Sequence, residues 1–173
     1  MIKIGDIFKI PLSNRRKAYG QFVYKDQQMG PLILVFNLIT ERQIDDIQKL
    51  INVKPLFPPV ITGVNAMTRT GNWKVIGKLP VENFTYPNFI RNLYDEKTGK
   101  AGIWLLWDGE KNIRIGRKLS DKQKKLEYLV VWSPQDVVYR IETGTYPFPY
   151  GDLIVKNEFE PRKQKMQKES QLS

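Results

Sequence analysis

The chain has 173 residues, 41% of them hydrophobic and 12% aromatic, enough for a real core and too apolar for a disordered protein. It has no Cys and no His, which removes disulfides, thiolate nucleophiles, Cys/His zinc sites and every histidine general-base scheme. The formal net charge of +10 favours an anionic partner: nucleic acid, an acidic protein face or anionic lipid. Residues 161–173 hold four positive side chains and one negative, so +10 less +3 leaves +7 on residues 1–160.

We expect one globular domain over residues 1–160 and a disordered basic tail over 161–173, where the chain turns polar. No apolar run approaches the roughly 20 residues of a membrane helix, and the opening lacks the apolar segment of a secretory signal. A cytoplasmic protein with no membrane association is therefore expected.

The opening run Ile4-Gly5-Asp6-Ile7-Phe8-Lys9-Ile10-Pro11-Leu12 and the run Tyr19-Gly20-Gln21-Phe22-Val23-Tyr24 are β-branched or aromatic and close to period two. With polar residues 13–17 between them, they predict two antiparallel strands. Pro11 closes the first, because it cannot donate to a ladder. After a turn at 26–30, the nearly unbroken apolar run 31–39 predicts a central strand buried on both faces. Thr40 as N-cap, Gln43 three residues later, and Ile44, Ile47, Leu50 and Ile51 at helical spacing predict a helix over residues 41–52. Its Asp45 and Asp46 read as solvated surface.

Residues 60–64 predict a strand, 67–72 a turn and 73–77 another strand, with Trp73, Val75 and Gly77 on one face. Residues 80–87 predict a loop that carries Phe84 and Tyr86 into the core. Residues 95–99 read as a turn. The runs 101–107 and 112–116, joined by Asp108-Gly109, predict a hairpin with both Trp104 and Trp107 in the core. The alternative is that one of them is an exposed partner anchor.

The window 111–125 holds Lys111, Arg114, Arg117, Lys118, Lys122, Lys124 and Lys125 against Asp121 alone. It reads as a solvated turn or as a phosphate-binding edge. It lacks the interleaved aromatics of single-strand stacking platforms. Residues 126–132 predict one strand. Ser133-Pro134-Gln135-Asp136 gives an N-cap, a Pro at the first helical position and an early acid, predicting a short helix that stops at Gly144. Residues 146–151, with Tyr146 and Tyr150, form an aromatic–proline loop that either covers the core or binds a partner. Residues 153–155 suggest an edge strand.

These elements predict an α+β fold, mostly antiparallel β, with a strongly curved sheet or partly closed barrel and two short helices. Parallel α/β is disfavoured because most connections are too short for crossovers. No phosphate loop, dinucleotide fingerprint, nucleophile elbow or metal-ligand cluster is present. The adjacent acids Asp45/Asp46 and Asp95/Glu96 point apart and make poor proton-sharing pairs. No catalytic residue, metal or cofactor is assigned, and no enzymatic activity is expected.

The run Gly5-Asp6-Ile7-Phe8-Lys9-Ile10-Pro11-Leu12 followed by Tyr19-Gly20-Gln21 resembles the N-terminal signature of the immunity protein 26 family. Trp73-Lys74-Val75-Ile76-Gly77 followed by Pro80 is similar to a later segment of that family. Together these cover roughly the first ninety residues. The resemblance implies a cytoplasmic bacterial protein of a polymorphic toxin system that binds and neutralises a cognate toxin without catalysis. In that light Gly5, Asp6, Pro11, Gly20, Trp73 and Gly77 are fold-setting rather than contact residues. A basic inhibitor suggests a toxin with an acidic face, or a toxin that is not a nuclease. Arg114, Arg117, Lys118, Tyr146 and Tyr150 are the candidate contacts. The competing readings are a nucleic-acid-binding SH3-like barrel, motivated by charge, and an SH3-like ribonuclease toxin working without His.

Overall fold

The structure is a computed structural model that describes residues 1–95 and 100–147. The tail 161–173, the strand expected at 153–155, Tyr150 and most of the expected turn at 95–99 lie outside the described residues. In chain order the strands are β1 (Asp6–Pro11), β2 (Lys17–Asp26), β3 (Gly30–Val35), β4 (Val60–Thr62) and β5 (Lys74–Lys78), then β6 (Phe89–Asp95), β7 (Lys100–Trp107), β8 (Asn112–Gly116), β9 (Glu127–Tyr128) and β10 (Val131–Trp132). The helices are α1 (Val64–Arg69) and α2 (Pro134–Thr143).

These elements form two compact units. The first, Met1–Pro87 with Val130–Thr145, holds a six-stranded sheet in the order β10-β4-β3-β2-β1-β5. The second contains Asn88–Leu129 and Tyr146, and holds a four-stranded sheet in the order β8-β7-β6-β9. The fold is α+β and mainly antiparallel as expected, but neither sheet closes on itself. The two parallel pairings, β10 with β4 and β6 with β9, are two residues long.

The first unit is built around one ring. Phe8 on β1 faces Gly20 on β2, its register partner. A Cβ at Gly20 would sit 2.5 Å from Phe8 Cε2 and 2.6 Å from Cζ, so only glycine admits the ring. The same Phe8 ring stacks on Trp73, with centroids 5.4 Å apart and planes at 4°. Both rings are buried, and such a pair adds about 1 kcal/mol beyond its area. Trp73 directly precedes β5, which pairs with β1 so that Gly77 lies opposite Ile7 and beneath the Ile47 side chain.

The other signature residues close the start of the sheet. Gly5, at φ +94°, donates to Phe22 O at 2.8 Å and accepts from Leu79 N at 3.0 Å. A Cβ there would lie 2.7 Å from Leu79 O. Asp6 Oδ2 accepts from Lys3 N at 2.7 Å, and the buried Gln21 Nε2 donates to Leu79 O at 3.0 Å. Pro11 is the last residue of β1, as its missing donor requires.

The central strand β3 is buried on both faces as expected, with Leu32, Ile33 and Val35 inaccessible. It ends at Val35, earlier than the apolar run suggests. One sheet face, carrying Ile7 and Tyr19, packs on Phe36, Leu50, Leu79 and the partly buried Leu38, Ile44, Ile47 and Val53. That cover is not the expected helix 41–52. Only Ile47–Leu50 turns, as a single 3₁₀ segment capped by Asp46. Both members of the expected capping box are engaged elsewhere. Thr40 Oγ1 lies 2.7 Å from Tyr19 Oη, and Gln43 Oε1 accepts from Lys9 Nζ at 2.8 Å. Lys17 and Thr40 exchange backbone bonds at 2.8 and 2.9 Å, and Tyr19 Oη accepts from Ile44 N at 3.0 Å. Tertiary partners in β1 and β2 override the local helical pattern.

Three further expectations need correction. The turn expected at 67–72 overlaps α1, a six-residue helix with one buried side chain and no side-chain cap, which leaves little amphipathic signal. The single face expected for Trp73, Val75 and Gly77 is divided, because the β1–β5 register shift sets Val75 opposite Phe8 and Gly77 opposite Ile7; Val75 is 40% exposed. The strand expected at 126–132 is two, β9 joining β6 and β10 joining β4.

Helix α2 follows its sequence signals. Ser133 Oγ accepts from Asp136 N at 3.1 Å, Pro134 opens the helix and Gly144 closes it at φ +70°. Its buried Arg140 places the guanidinium 4.2 Å from the Phe57 ring and 5.1 Å from that of Trp132. Near its end Glu142 Oε1 accepts from Ser13 N in the β1–β2 turn at 2.6 Å.

Two outcomes follow from these contacts. Gly20→Ala is expected to lower stability by about 2 kcal/mol in urea unfolding, since a ring stacked on Trp73 cannot yield; a loss below about 0.5 kcal/mol would show that it can. The Ser13 amide and then the Ser13 side chain, with Arg16 nearby, hold the Glu142 carboxyl below its ordinary 4.5. Folding thus favours the carboxylate, so the contact contributes fully above that value and is lost as pH falls through the lowered one. Glu142→Gln should be less stable than the parent near pH 7 and converge with it by about pH 3. A gap of equal size at both pH values would contradict the contact.

Candidate functional site

The candidate contacts Arg114, Arg117 and Lys118 all lie in the second unit. Its sheet packs Ile90, Trp104 and Leu119 with Ile115, Leu126 and Tyr128. Trp104 and Trp107 are both buried, which settles them as core and not anchors. The hairpin between β7 and β8 turns where Asp108-Gly109 predicts. Asp108 Oδ1 accepts from Glu110 N and Lys111 N, each at 2.9 Å, and the bond from Lys111 is the main cause of its lowered carboxyl pKa.

That turn delivers β8 to the edge of the sheet, where Asn112, Ile113 and Arg114 are exposed. Arg117 and Lys118 follow immediately and are also exposed. Among the described residues, none of the three cations is hydrogen-bonded or ion-paired. The Gln123–Lys125 3₁₀ turn carries the rest of the basic window, and Asp121 is bonded to Lys124 at 3.5 Å. Among the described residues, the edge therefore presents unpaired backbone groups, an exposed Ile113 and several uncompensated positive charges.

Tyr146 belongs to the same unit but is half-buried, and its hydroxyl donates to Glu127 Oε2 at 2.9 Å. Glu127 is buried on β9, so this bond anchors the start of the aromatic–proline loop. Tyr150 lies outside the described residues.

The sequence reading missed an aromatic cluster on the first unit. Phe84 and Tyr86, expected in the core, instead pack beside Tyr24, which is exposed. The ring centroids lie 5.6 and 5.5 Å from that of Tyr24. Tyr86 Oη donates to the buried Asp26 carboxylate, whose other oxygen caps the turn through Gln28 N and Met29 N. The available signal was Asp26 itself, an acid at a strand end that needs partners.

The carboxylates with lowered pKa, Asp45, Asp108 and Glu142, are each explained by local bonds: Lys49 for Asp45, and backbone amides for the other two. A groove beside α1 is lined by residues that include Asp6, Arg69 and Val75, with Asp6 its sole carboxylate. Among the described residues, no three His, Cys, Asp or Glu side chains gather where a metal could sit, and no helix is long and apolar enough to cross a membrane.

A family model described as immunity protein 26 matches residues 3–96, more than half of the chain. That span contains every signature residue of the first unit's opening strands, along with Trp73 and Gly77. Comparison with curated proteins gives no match, and neither does comparison with solved structures.

Proposed function

The chain belongs to the immunity protein 26 family, and from that premise we propose that it binds a cognate bacterial toxin in the cytoplasm and neutralises it without catalysis. The observation that carries this reading is the family match itself. Three features of the chain support it. The family signature is consumed by packing, the acids with lowered pKa are occupied in turns and surface pairs, and a basic sheet edge is left unpaired among the described residues. We place the toxin contact on Arg114, Arg117 and Lys118, and propose Tyr146 and Tyr150 as further contact residues. Its counterpart is an acidic face on the toxin, and complementary charge would speed their encounter. The toxin's active site or substrate path is then blocked by bulk.

The exposed basic window also favours a second reading, a nucleic-acid-binding protein whose affinity falls steeply with salt. One experiment separates the two. Tagged protein is captured from its source cells with and without nuclease treatment, and the partners are identified by mass spectrometry. A single stoichiometric polypeptide that survives nuclease and is lost from the Arg114→Glu/Arg117→Glu variant is the expected result. Partners that vanish with nuclease, or nucleic acid alone, would replace toxin binding with the second reading.

A further inference from the structure

The β1–β2 connection is a four-residue turn over residues 13–16, closed by Arg16 N donating to Ser13 O at 3.1 Å. Its central residues, Asn14 and Arg15, have φ of 55° and 60°. Two left-handed central residues suit the twist of a two-residue hairpin, and the favoured pair there is Asn-Gly. Asn14 fits its place. Arg15 stands where glycine belongs, in a region that a bulky L-residue adopts only under strain.

The surroundings hold that conformation firmly. Glu142 takes the Ser13 amide at 2.6 Å, Leu12 N donates to Arg16 O at 2.9 Å, and Lys17 Nζ donates to Arg15 O at 2.7 Å. Arg16 turns back on the loop, its Nη2 3.4 Å from Ser13 Oγ. The Arg15 guanidinium does not. It is exposed and, among the described residues, makes no hydrogen bond or ion pair. The chain thus tolerates backbone strain for a side chain that does nothing within the fold, on a tip where Arg15, Arg16 and Lys17 follow one another.

We propose that Arg15 is a binding residue, presented by this clamped turn to a carboxylate on an acidic protein surface. The assignment rests on the proposed function in taking that surface to be the toxin's. A guanidinium held at a rigid tip matches a carboxylate through two parallel bonds, which a lysine cannot make.

The test uses the full chain and its Arg15→Gly and Arg15→Lys variants. Lys74→Ala, an exposed cation removed from β5, serves as the equal-charge control. Thermal unfolding is measured for each, and binding is titrated with poly-L-glutamate and, in a second arm, a single-stranded oligonucleotide of matched charge. Arg15→Gly is expected to raise Tm by about 2–4 °C, because glycine relieves the strain. It should weaken poly-L-glutamate binding about fivefold more than Lys74→Ala does, with Arg15→Lys between. A Tm that does not rise, or an affinity loss no greater than the control's, overturns the proposal. So does an Arg15 effect seen with the oligonucleotide alone. Poly-L-glutamate is its own ligand, so a failed toxin capture leaves this result readable and the two failures distinct.

Discussion

Much of the first unit depends on the close approach of the Phe8 ring to the Gly20 backbone. With no Cβ at Gly20, β2 admits the ring, and Trp73 packs on that ring in a near-parallel stack. That one contact fixes the β1–β2 register and sets where the chain must return for β5 to pair with β1. Ile7, one residue away on the opposite face, then meets Tyr19, Phe36 and Leu50. A one-residue slip would exchange these two faces, so the register is specified twice over.

Tyr19 shows how a strand residue governs structure beyond its own sheet. Its hydroxyl lies at Thr40 Oγ1 and takes the Ile44 amide, which removes the groups a helix over 41–52 would need. The segment therefore crosses the sheet as an irregular cover with one 3₁₀ turn, yet Ile44, Ile47 and Leu50 still point inward. Their helical spacing is real, but it records burial and not helix.

The legible parts of the fold were those whose chemistry is local. Pro11 as a strand end, Asp108-Gly109 as a hairpin turn and Ser133-Pro134 as a helix start each act through their own backbone. The parts that were not legible depend on distant partners. They are the loss of the helix at 41–52, the bulge that puts Val75 and Gly77 opposite neighbouring residues of β1 and the division of 126–132 between two sheets. At the candidate site, the basic window is plain in sequence, while the inward bond of Tyr146 required the position of Glu127. The strain at Arg15 was hidden as well, since a polar segment between strands does not disclose its turn type.

Under the proposed function, a motif spent on packing leaves recognition to residues outside it. Here Gly5, Gly20, Trp73 and Gly77 set the fold, while the cations of β8 and the residues after it face solvent. The most direct measurement is amide hydrogen exchange of the full chain, free and with the toxin that the proposed function expects the capture to yield. Toxin binding is predicted to slow exchange over residues 111–118 and to leave the amides of β1 and β5 unchanged. Protection over 5–11 and 73–78 with none at 111–118 would contradict that division, and would make the signature itself the contact surface.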